Sequence, residues 1–163
     1  MIYFLGLGSN LGNRAKNLAE AARLLRENGV EVFRASSVYE TEPVDRLDQP
    51  WFLNQALKVL YSLDPYALLE VVKSIEVRMK RVPTAAKGPR TIDIDILLAG
   101  DIVLDTPDLV IPHPRLAQRN FVLVPLCEIA PEIRHPVLAK TVRELASSSS
   151  DPSQVIAQKR RRS

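Results

Sequence analysis

The clearest chemical signal in the sequence is a pair of aspartates within an apolar run. Residues 91–98 read TIDIDILL, so Asp93 and Asp95 alternate with isoleucines. Side chains on a strand point to opposite faces in turn, so both carboxylates share one face, about 7 Å apart. Like charges in a partly desolvated position need a positive partner, and paired oxygen ligands favour Mg²⁺ or Ca²⁺ over zinc. The pattern predicts a divalent cation site; the alternative is the solvated face of an edge strand.

Basic residues come directly before the two aspartates. Arg90 closes a Gly-Pro-Arg stretch, and the chain before it carries Arg78, Lys80, Arg81 and Lys87. A guanidinium beside paired carboxylates suits phosphoryl transfer, because arginine neutralises the charge that develops on phosphate while Mg²⁺ bridges phosphate oxygens. The alternative is a solvated charge run at a helix end, where basic residues interact favourably with the helix dipole.

The remaining motifs argue against the two common glycine-rich kinds of nucleotide-binding site. Residues 6–12 read GLGSNLG, which is neither the dinucleotide-binding GxGxxG pattern nor a P-loop with its lysine and hydroxyl. Any ATP must therefore be held by arginines and a metal ion. His113 lies between two prolines and can donate to a phosphate, with a surface-loop histidine as the equal alternative. We interpret His135 as structural and Cys127 as a packed thiol.

Composition and charge limit the class of protein. The 163 residues are 46% hydrophobic and 25% charged, which is typical of one folded domain. The net charge is +3, but residues 159–162 contribute four positive charges, and the other residues comprise 18 basic and 19 acidic side chains. We expect a solvated basic tail, with contact to nucleic acid or to an acidic surface as the alternative. A single cysteine, no apolar run long enough to span a membrane and no signal peptide predict a cytoplasmic protein.

Hydrophobic periodicity predicts the elements that must position these residues. Strands are expected over 2–7, 30–39, 52–61 and 91–98, with a short partner strand for the last over 102–104 after a turn at Gly100. Helices are expected from Arg14 to Asn28 and over 65–80, the second capped by Asp64. Six prolines between 107 and 136 predict a segment without regular secondary structure except for one short helix over 116–120. Thr141 opens a capping box for a last helix.

The order strand, helix, strand, strand, helix, strand is that of a split βαβ unit. It predicts an α+β fold, a ferredoxin-like two-layer sandwich with a mainly antiparallel sheet, helices packed on one face and mobile catalytic loops. The other face is then free to hold a site. We expect one catalytic domain over 1–146, and a disordered Ser-rich linker and basic tail over 147–163.

Six stretches, in order, resemble one family, the hydroxymethyldihydropterin pyrophosphokinases of folate biosynthesis. They are residues 6–13 (GLGSNLGN), 36–44 (SSVYETEPV), 49–54 (QPWFLN), 88–97 (GPRTIDIDIL), 111–116 (IPHPRL) and 119–123 (RNFVL). The resemblance extends from residue 1 to about residue 131, and the Gly-Pro-Arg and Asp-x-Asp element is its most specific part. It implies Mg²⁺-dependent transfer of the terminal diphosphate of ATP to the hydroxymethyl oxygen of 6-hydroxymethyl-7,8-dihydropterin, with release of AMP.

The resemblance also implies roles for individual residues. Asp93 and Asp95 match carboxylates that hold two Mg²⁺ ions along the triphosphate of ATP, the co-substrate. The residues matched to catalysis are Asp95, Arg81 and Arg90, with Asp95 the candidate for helping to remove the hydroxyl proton. The residues matched to the nucleotide are Glu76, Lys87, Arg90, Ile96, His113 and Arg119. On the pterin side, Asn54 pairs with the edge of the ring, Phe52 and Phe121 sandwich it, the backbone of Thr41 and Val44 adds polar contacts, and Gly8 leaves room.

One loop departs from the family pattern. Relatives carry an arginine near position 83 or 84, and a basic residue and a tryptophan just before Gly88, whereas residues 83–87 here read PTAAK. Our hypothesis is that Lys87 partly replaces the missing cation, with weaker nucleotide binding and the same chemistry.

The expected partners are the reduced pterin and ATP, with no membrane and no nucleic acid. We expect a monomer, with association with other folate-pathway enzymes as an option. The rival interpretations are a ferredoxin-like nucleic-acid-binding or regulatory module anchored by its basic tail, and a degenerate, inactive relative of the family.

Overall fold

The computed structural model of the protein describes residues 1–44, 47–79 and 91–158. Along the chain the elements are β1 (Ile2–Ser9), α1 (Arg14–Glu27), β2 (Glu31–Ala35), β3 (Tyr39–Thr41), β4 (Phe52–Leu60), α2 (Pro65–Arg78), β5 (Asp93–Ala99), β6 (Leu104–Asp105), β7 (Val110–Ile111), a 3₁₀ turn (Leu116–Gln118), α3 (Asn120–Ile129), α4 (Val142–Ser147) and β8 (Val155–Ala157). No helix within these ranges has the length and apolar character needed to cross a bilayer.

The main sheet confirms the predicted fold class. Its strand order is β5-β1-β4-β3-β8, with β2 also pairing with β4, and the paired strands are antiparallel. Gly8 on the interior strand β1 is paired with Asn54 on β4 and with Asp93 on β5. This register brings residues that are far apart in the sequence to one region of the sheet.

Helices α1 and α2 cover one face of the sheet. Their apolar side chains pack on Leu5, Leu7 and Ile94, all at most 5% exposed. The caps that fix where these helices begin are short-range: the Asp64 carboxylate accepts from the Ala67 amide at 2.9 Å, as the sequence predicts. Asn13 does the same for α1.

The second face also carries helices, contrary to the expectation that one face stays free. Helix α3 packs on this face through Leu123 and Leu126, against Phe4 and Leu98, and α4 packs beside α3. The sequence prediction failed because Pro125 lies inside α3, and proline in a helix interior removes one hydrogen bond. Burial of the apolar side chains around it outweighs that loss, and α3 leaves part of the face uncovered.

Two strand predictions need correction. The predicted strand over 30–39 is interrupted, so that β2 and β3 pair separately with β4. The Ser36 hydroxyl in the gap accepts from the Ala56 amide at 2.9 Å and so occupies a ladder position. The short strand after Gly100 pairs with β7 rather than with β5.

The expectation of disorder from residue 147 onward is wrong for residues 147–158. Ser147 ends α4, and β8 pairs with β3, placing Thr41 opposite Val155. The polar groups of this segment form hydrogen bonds with residues that are far away in the sequence. Composition alone does not indicate such partners. Residues 159–163, the basic tail, lie outside the described residues.

Candidate active site

A cavity of about 190 Å³ opens on the second face of the sheet, beside α3. Strands β1, β4 and β5 form its floor, the end of β3 and the following loop form one wall, and the start of α3 forms the other. All the residues predicted to contact the pterin line it: Gly8, Thr41, Val44, Phe52, Asn54 and Phe121. Three residues predicted for the metal and nucleotide, Asp93, Asp95 and Arg119, line it too.

Strand β5 supplies the two carboxylates by simple alternation, as predicted. Ile94 and Ile96 are each 5% exposed in the core under α1 and α2, whereas Asp93 and Asp95 face the cavity. The Asp95 side chain is 37% exposed, so water and a ligand can reach it. Both carboxylates therefore line the cavity and do not lie on an outer face of the sheet.

The donor set fits a magnesium ion shared with a substrate. Within the described ranges, no group of three or more His, Cys, Asp or Glu side chains could hold a metal. Mg²⁺ uses one or two carboxylates together with water and substrate phosphates, whereas zinc sites are built from three or four protein ligands that are mostly His and Cys. Asp93 and Asp95 therefore match an ion that binds together with a phosphate ester.

His113 lies beside the second carboxylate. Its Nε2 is 4.0 Å from Asp95 Oδ1, and its Nδ1 accepts from the Arg115 amide at 3.2 Å. The backbone amide of His113 donates to the Leu97 carbonyl at 3.0 Å, which fixes the residue against β5. Burial, and next the charge of Arg119, lower the pKa of His113, so the ring is neutral at pH 7. With Nδ1 acting as acceptor, Nε2 carries the proton and can donate to a phosphate.

Asn54 is held in one orientation at the floor of the cavity. Its side-chain amide Nδ2 donates to the Thr41 hydroxyl at 2.5 Å. A Cβ at Gly8 would lie 2.6 Å from Asn54 Oδ1, so a side chain at position 8 would displace the amide. Asn54 is 7% exposed, so the hydrogen-bonding capacity left at its amide is available mainly to a ligand in the cavity.

Two aromatic rings and a guanidinium line the same cavity. Phe52 comes from β4, and Phe121 comes from the first turn of α3. The Arg119 guanidinium carbon lies 5.5 Å from the Phe121 ring centroid, within the range of a cation–π contact. The cavity thus combines apolar surfaces suited to a flat ring with positive charge suited to an anion.

Two predicted nucleotide residues are placed away from the cavity. Glu76 is 7% exposed on α2, and its Oε2 accepts from the Ile94 amide at 3.2 Å. The Ile96 side chain is in the core under α1 and α2, so it can offer a ligand only its backbone. Arg81, Lys87 and Arg90 lie outside the described residues, and their roles stay predictions.

The structure adds residues to which sequence reasoning gave no role. Asn10 is 2% exposed, and its Nδ2 donates to Gln49 Oε1 at 2.9 Å and to the Pro50 carbonyl at 3.1 Å. Arg14 donates to the Trp51 carbonyl at 2.9 Å. These bonds attach the segment before Phe52, including the cavity-lining Gln49, to the loop after β1. Asn10 and its partners lie in the quoted stretches 6–13 and 49–54, so the joint occurrence of these stretches was the available signal.

Comparison with known proteins gives a consistent result. Residues 4–131 match the family model 7,8-dihydro-6-hydroxymethylpterin-pyrophosphokinase (HPPK). The chain is 44% identical over 133 residues to the 2-amino-4-hydroxy-6-hydroxymethyldihydropteridine pyrophosphokinase of Bacillus subtilis, covering 81% of this chain and 80% of that protein. It is 44% identical over 151 residues to the protein of the same name in Methylorubrum extorquens, covering 92% and 94%.

Longer proteins contain a region similar to this chain. The folic acid synthesis protein fol1 of Pneumocystis carinii is 41% identical over 139 residues, which are 85% of this chain and 19% of that protein. A crystal structure of Plasmodium falciparum HPPK-DHPS superposes with a TM-score of 0.70 at 21% identity, covering 90% of this chain and 45% of that one. The chain therefore spans about a fifth of the first protein and less than half of the second.

Proposed function

The chain belongs to the 7,8-dihydro-6-hydroxymethylpterin-pyrophosphokinase family, and on that premise we propose that it transfers diphosphate from ATP to a reduced pterin. The acceptor is the hydroxymethyl group of 6-hydroxymethyl-7,8-dihydropterin, and the second product is AMP. The main observation in support is a single cavity lined by the paired carboxylates of β5, two aromatic rings and the oriented Asn54 amide.

The pterin end of the cavity offers both shape and polarity. Phe52 and Phe121 provide apolar surfaces for the two sides of a flat ring, and Asn54 provides hydrogen bonds to its edge. Because Asn54 is buried, an analogue that lacks the complementary edge leaves this amide without a partner and binds much more weakly. This contact supports selection of a pterin over other bicyclic rings.

The phosphate end offers two carboxylates, a neutral imidazole and an arginine. Asp93 and Asp95 would hold Mg²⁺, which, when bound, neutralises the charge of the triphosphate and orients its oxygens. We propose that two Mg²⁺ ions bind. His113 and Arg119 donate to phosphate oxygens, His113 from Nε2.

The transfer forms one bond and breaks one. The pterin hydroxymethyl oxygen attacks the β-phosphorus of ATP, and the bond from that phosphorus to the α,β-bridging oxygen breaks, so AMP leaves with that oxygen. The hydroxyl proton goes to a base, for which we propose Asp95, half-exposed at the floor of the cavity. Alignment of the two substrates is the main contribution of the cavity, because phosphoryl transfer depends on positioning and charge neutralisation.

Product analysis tests this proposal directly. The full chain is incubated with ATP, MgCl₂ and 6-hydroxymethyl-7,8-dihydropterin, and the nucleotides are separated by chromatography. We expect AMP and the pterin diphosphate in equal amounts, and no product when the metal is removed with EDTA. ADP as the nucleotide product would indicate an ordinary kinase, and no turnover would indicate an inactive relative; either result contradicts the proposal.

Three further expectations are parts of the same proposal. Lys87 partly replaces the cation that relatives carry in the preceding loop, so Lys87→Ala should raise the KM for ATP; an unchanged KM would contradict this role.

The chain acts as a monomer in the cytoplasm, which light scattering and cell fractionation test. Co-purification would detect any association of this monomer with other enzymes of folate synthesis.

A further inference from the structure

The C-terminal segment lies across both walls of the cavity. We define the C-terminal strap as residues 148–158, which follow α4 and include β8. One cavity wall ends at Thr41 and Glu42, and the other begins at Arg119 and Phe121. The strap is hydrogen-bonded to both walls, although none of its own residues lines the cavity among those that the structure describes.

The strap caps the helix that carries Phe121. Arg119 occupies the N-cap position of α3 and forms no side-chain capping bond. Asp151 supplies the cap instead: its Oδ2 accepts from the Asn120 backbone amide at 2.9 Å, and Asn120 Nδ2 donates to the Asp151 carbonyl at 2.9 Å. A carboxylate at a helix N-terminus also interacts favourably with the helix dipole. The start of α3 is therefore fixed from a point 31 residues later in the chain.

The strap holds the opposite wall through backbone pairing. Strand β8 pairs with β3, and the Gln154 amide donates to Glu42 Oε1 at 2.6 Å. The Glu42 amide returns a bond to the Gln154 carbonyl at 3.1 Å. These bonds fix the backbone of Thr41 and Glu42, which line the cavity.

The environment of Asp151 keeps its carboxylate ionised. Burial acts to raise its pKa, but hydrogen bonds from Asn120 and Ser153 and the charge of Arg119 together lower the pKa of Asp151 below its usual value. Asp151 Oδ1 accepts from the Ser153 amide at 2.9 Å, so both carboxylate oxygens are engaged. The cap is thus in place at neutral pH, close to an arginine that faces the substrates.

The far end of α3 has a separate connection to the same region of the sheet. Glu128 accepts from the Tyr39 hydroxyl at 2.5 Å and from the Ser37 amide at 2.7 Å. Helix α3 is therefore tied at both ends to the segment around β3. Of these two ties, the one through the strap is made at the residues that border the cavity, so it acts most directly on the separation between Phe121 and Thr41.

We propose that the C-terminal strap is part of the pterin site and that Asp151 is a positioning residue for it. By capping α3 and connecting it to β3, Asp151 sets the separation between the Phe121 ring and the polar edge formed by Thr41 and Asn54. This inference rests on the proposed function, because the quantity that it controls is affinity for the reduced pterin.

A matched pair of variants tests the proposal. Asp151→Ala removes the cap of α3, and Asp64→Ala removes the same kind of cap from α2, on the other face of the sheet. We expect both variants to lower Tm by similar amounts. Only Asp151→Ala should raise the KM for the pterin, by about fivefold, with kcat and the KM for ATP changed less than about twofold. Asp151→Asn keeps one side-chain acceptor oxygen, which can still cap α3, and should restore most of the pterin affinity.

Equilibrium binding gives an independent readout. Trp51 is the single tryptophan and precedes the cavity-lining Phe52, so its fluorescence can report pterin binding. The pterin Kd of Asp151→Ala should rise by the same factor as its KM. If Asp151→Ala does not fold, Asn120→Ala, which removes only the reciprocal bond, should raise the Kd by about twofold.

The outcomes separate this inference from the proposed function. An equal change of pterin KM in Asp151→Ala and Asp64→Ala, or an unchanged Kd in whichever strap variant folds, would show that the strap serves stability alone and would overturn the inference. An inactive wild-type chain would instead refute the proposed function, and the Trp51 titration would still measure whether the strap affects pterin binding.

Discussion

The face of the sheet under α1 and α2 and the face beside α3 are formed by the same strands, yet they differ in what they leave accessible. Under α1 and α2, residues such as Leu5 and Ile94 are sealed from water. Beside α3, the alternate positions of the same strands carry Asp93, Asp95 and Asn54 around an open cavity. The comparison shows that one strand can contribute side chains to the core on one face and to the cavity on the other. Single substitutions on β5 should therefore change either stability or activity, depending on the face.

The largest expected effect is on the cavity face. Asp95→Asn keeps the size of the side chain and removes its charge and basicity, so kcat should fall by about a hundredfold or more, as when a group that stabilises transition-state charge is lost. Tm should change little, because Asp95→Asn keeps the size of a half-exposed side chain. Steady-state kinetics and thermal melting measure both quantities. Near-normal turnover would remove Asp95 from the mechanism.

Gly8→Ala probes the contact between the floor strands. The new Cβ would lie 2.6 Å from Asn54 Oδ1, so the amide must move away from the pterin edge. We expect the KM for the pterin to rise about tenfold, equivalent to about 1.4 kcal/mol, with a smaller change in the KM for ATP. Gly6→Ala is the comparison, because the atom nearest to its Cβ would belong to the flexible Leu97 side chain, at 3.4 Å. Equal effects of the two variants would contradict the role given to Gly8.

The covered face should respond in the opposite way. Ile94→Val removes one methyl group from a residue that is 5% exposed, and such changes cost about 0.5–1.5 kcal/mol of unfolding free energy. Activity per folded molecule should stay within about twofold, because the lost atoms face away from the cavity. Urea denaturation and kcat give the two numbers. A fall in kcat without a loss of stability would mean that the two faces are not separable.

The smallest effect concerns a histidine outside both faces. Burial lowers the pKa of His135, and its Nδ1 accepts from the amides of Val137 and Leu138 at 3.2 and 3.1 Å, as fits the structural role predicted from the sequence. The unfolded chain therefore binds more protons just below the ordinary pKa of 6.5, so stability is lost as pH falls through that value. His135→Gln should reduce the stability difference between about pH 7.5 and 5.5. An unchanged difference in urea midpoints would contradict this.

The sequence predicts the elements with a regular pattern and the site residues within them. The alternation around Asp93 places both carboxylates on the cavity face, and Asp64 and Thr141 cap the helices expected after them. These features depend on neighbours within a few residues, which is the range over which periodicity and capping act.

The features that were missed depend on contacts between distant residues. Helix α3 contains Pro125 and exists because its other side chains are buried on the sheet. Strand β8 has only three residues, Val155–Ala157, and its pairing with β3 leaves no local pattern. The bond from Asn10 to Gln49 joins two loops 39 residues apart. No window of the sequence contains these partners together.

The outer edge of β5 has a consequence for the behaviour of many copies of the chain. Glu76 accepts from the Ile94 amide, and the His113 amide donates to the Leu97 carbonyl. Backbone groups that could otherwise pair with a strand from another molecule are thereby occupied. At high concentration this border resists lateral growth of the sheet, so the strand that bears the acidic pair is protected from aggregation.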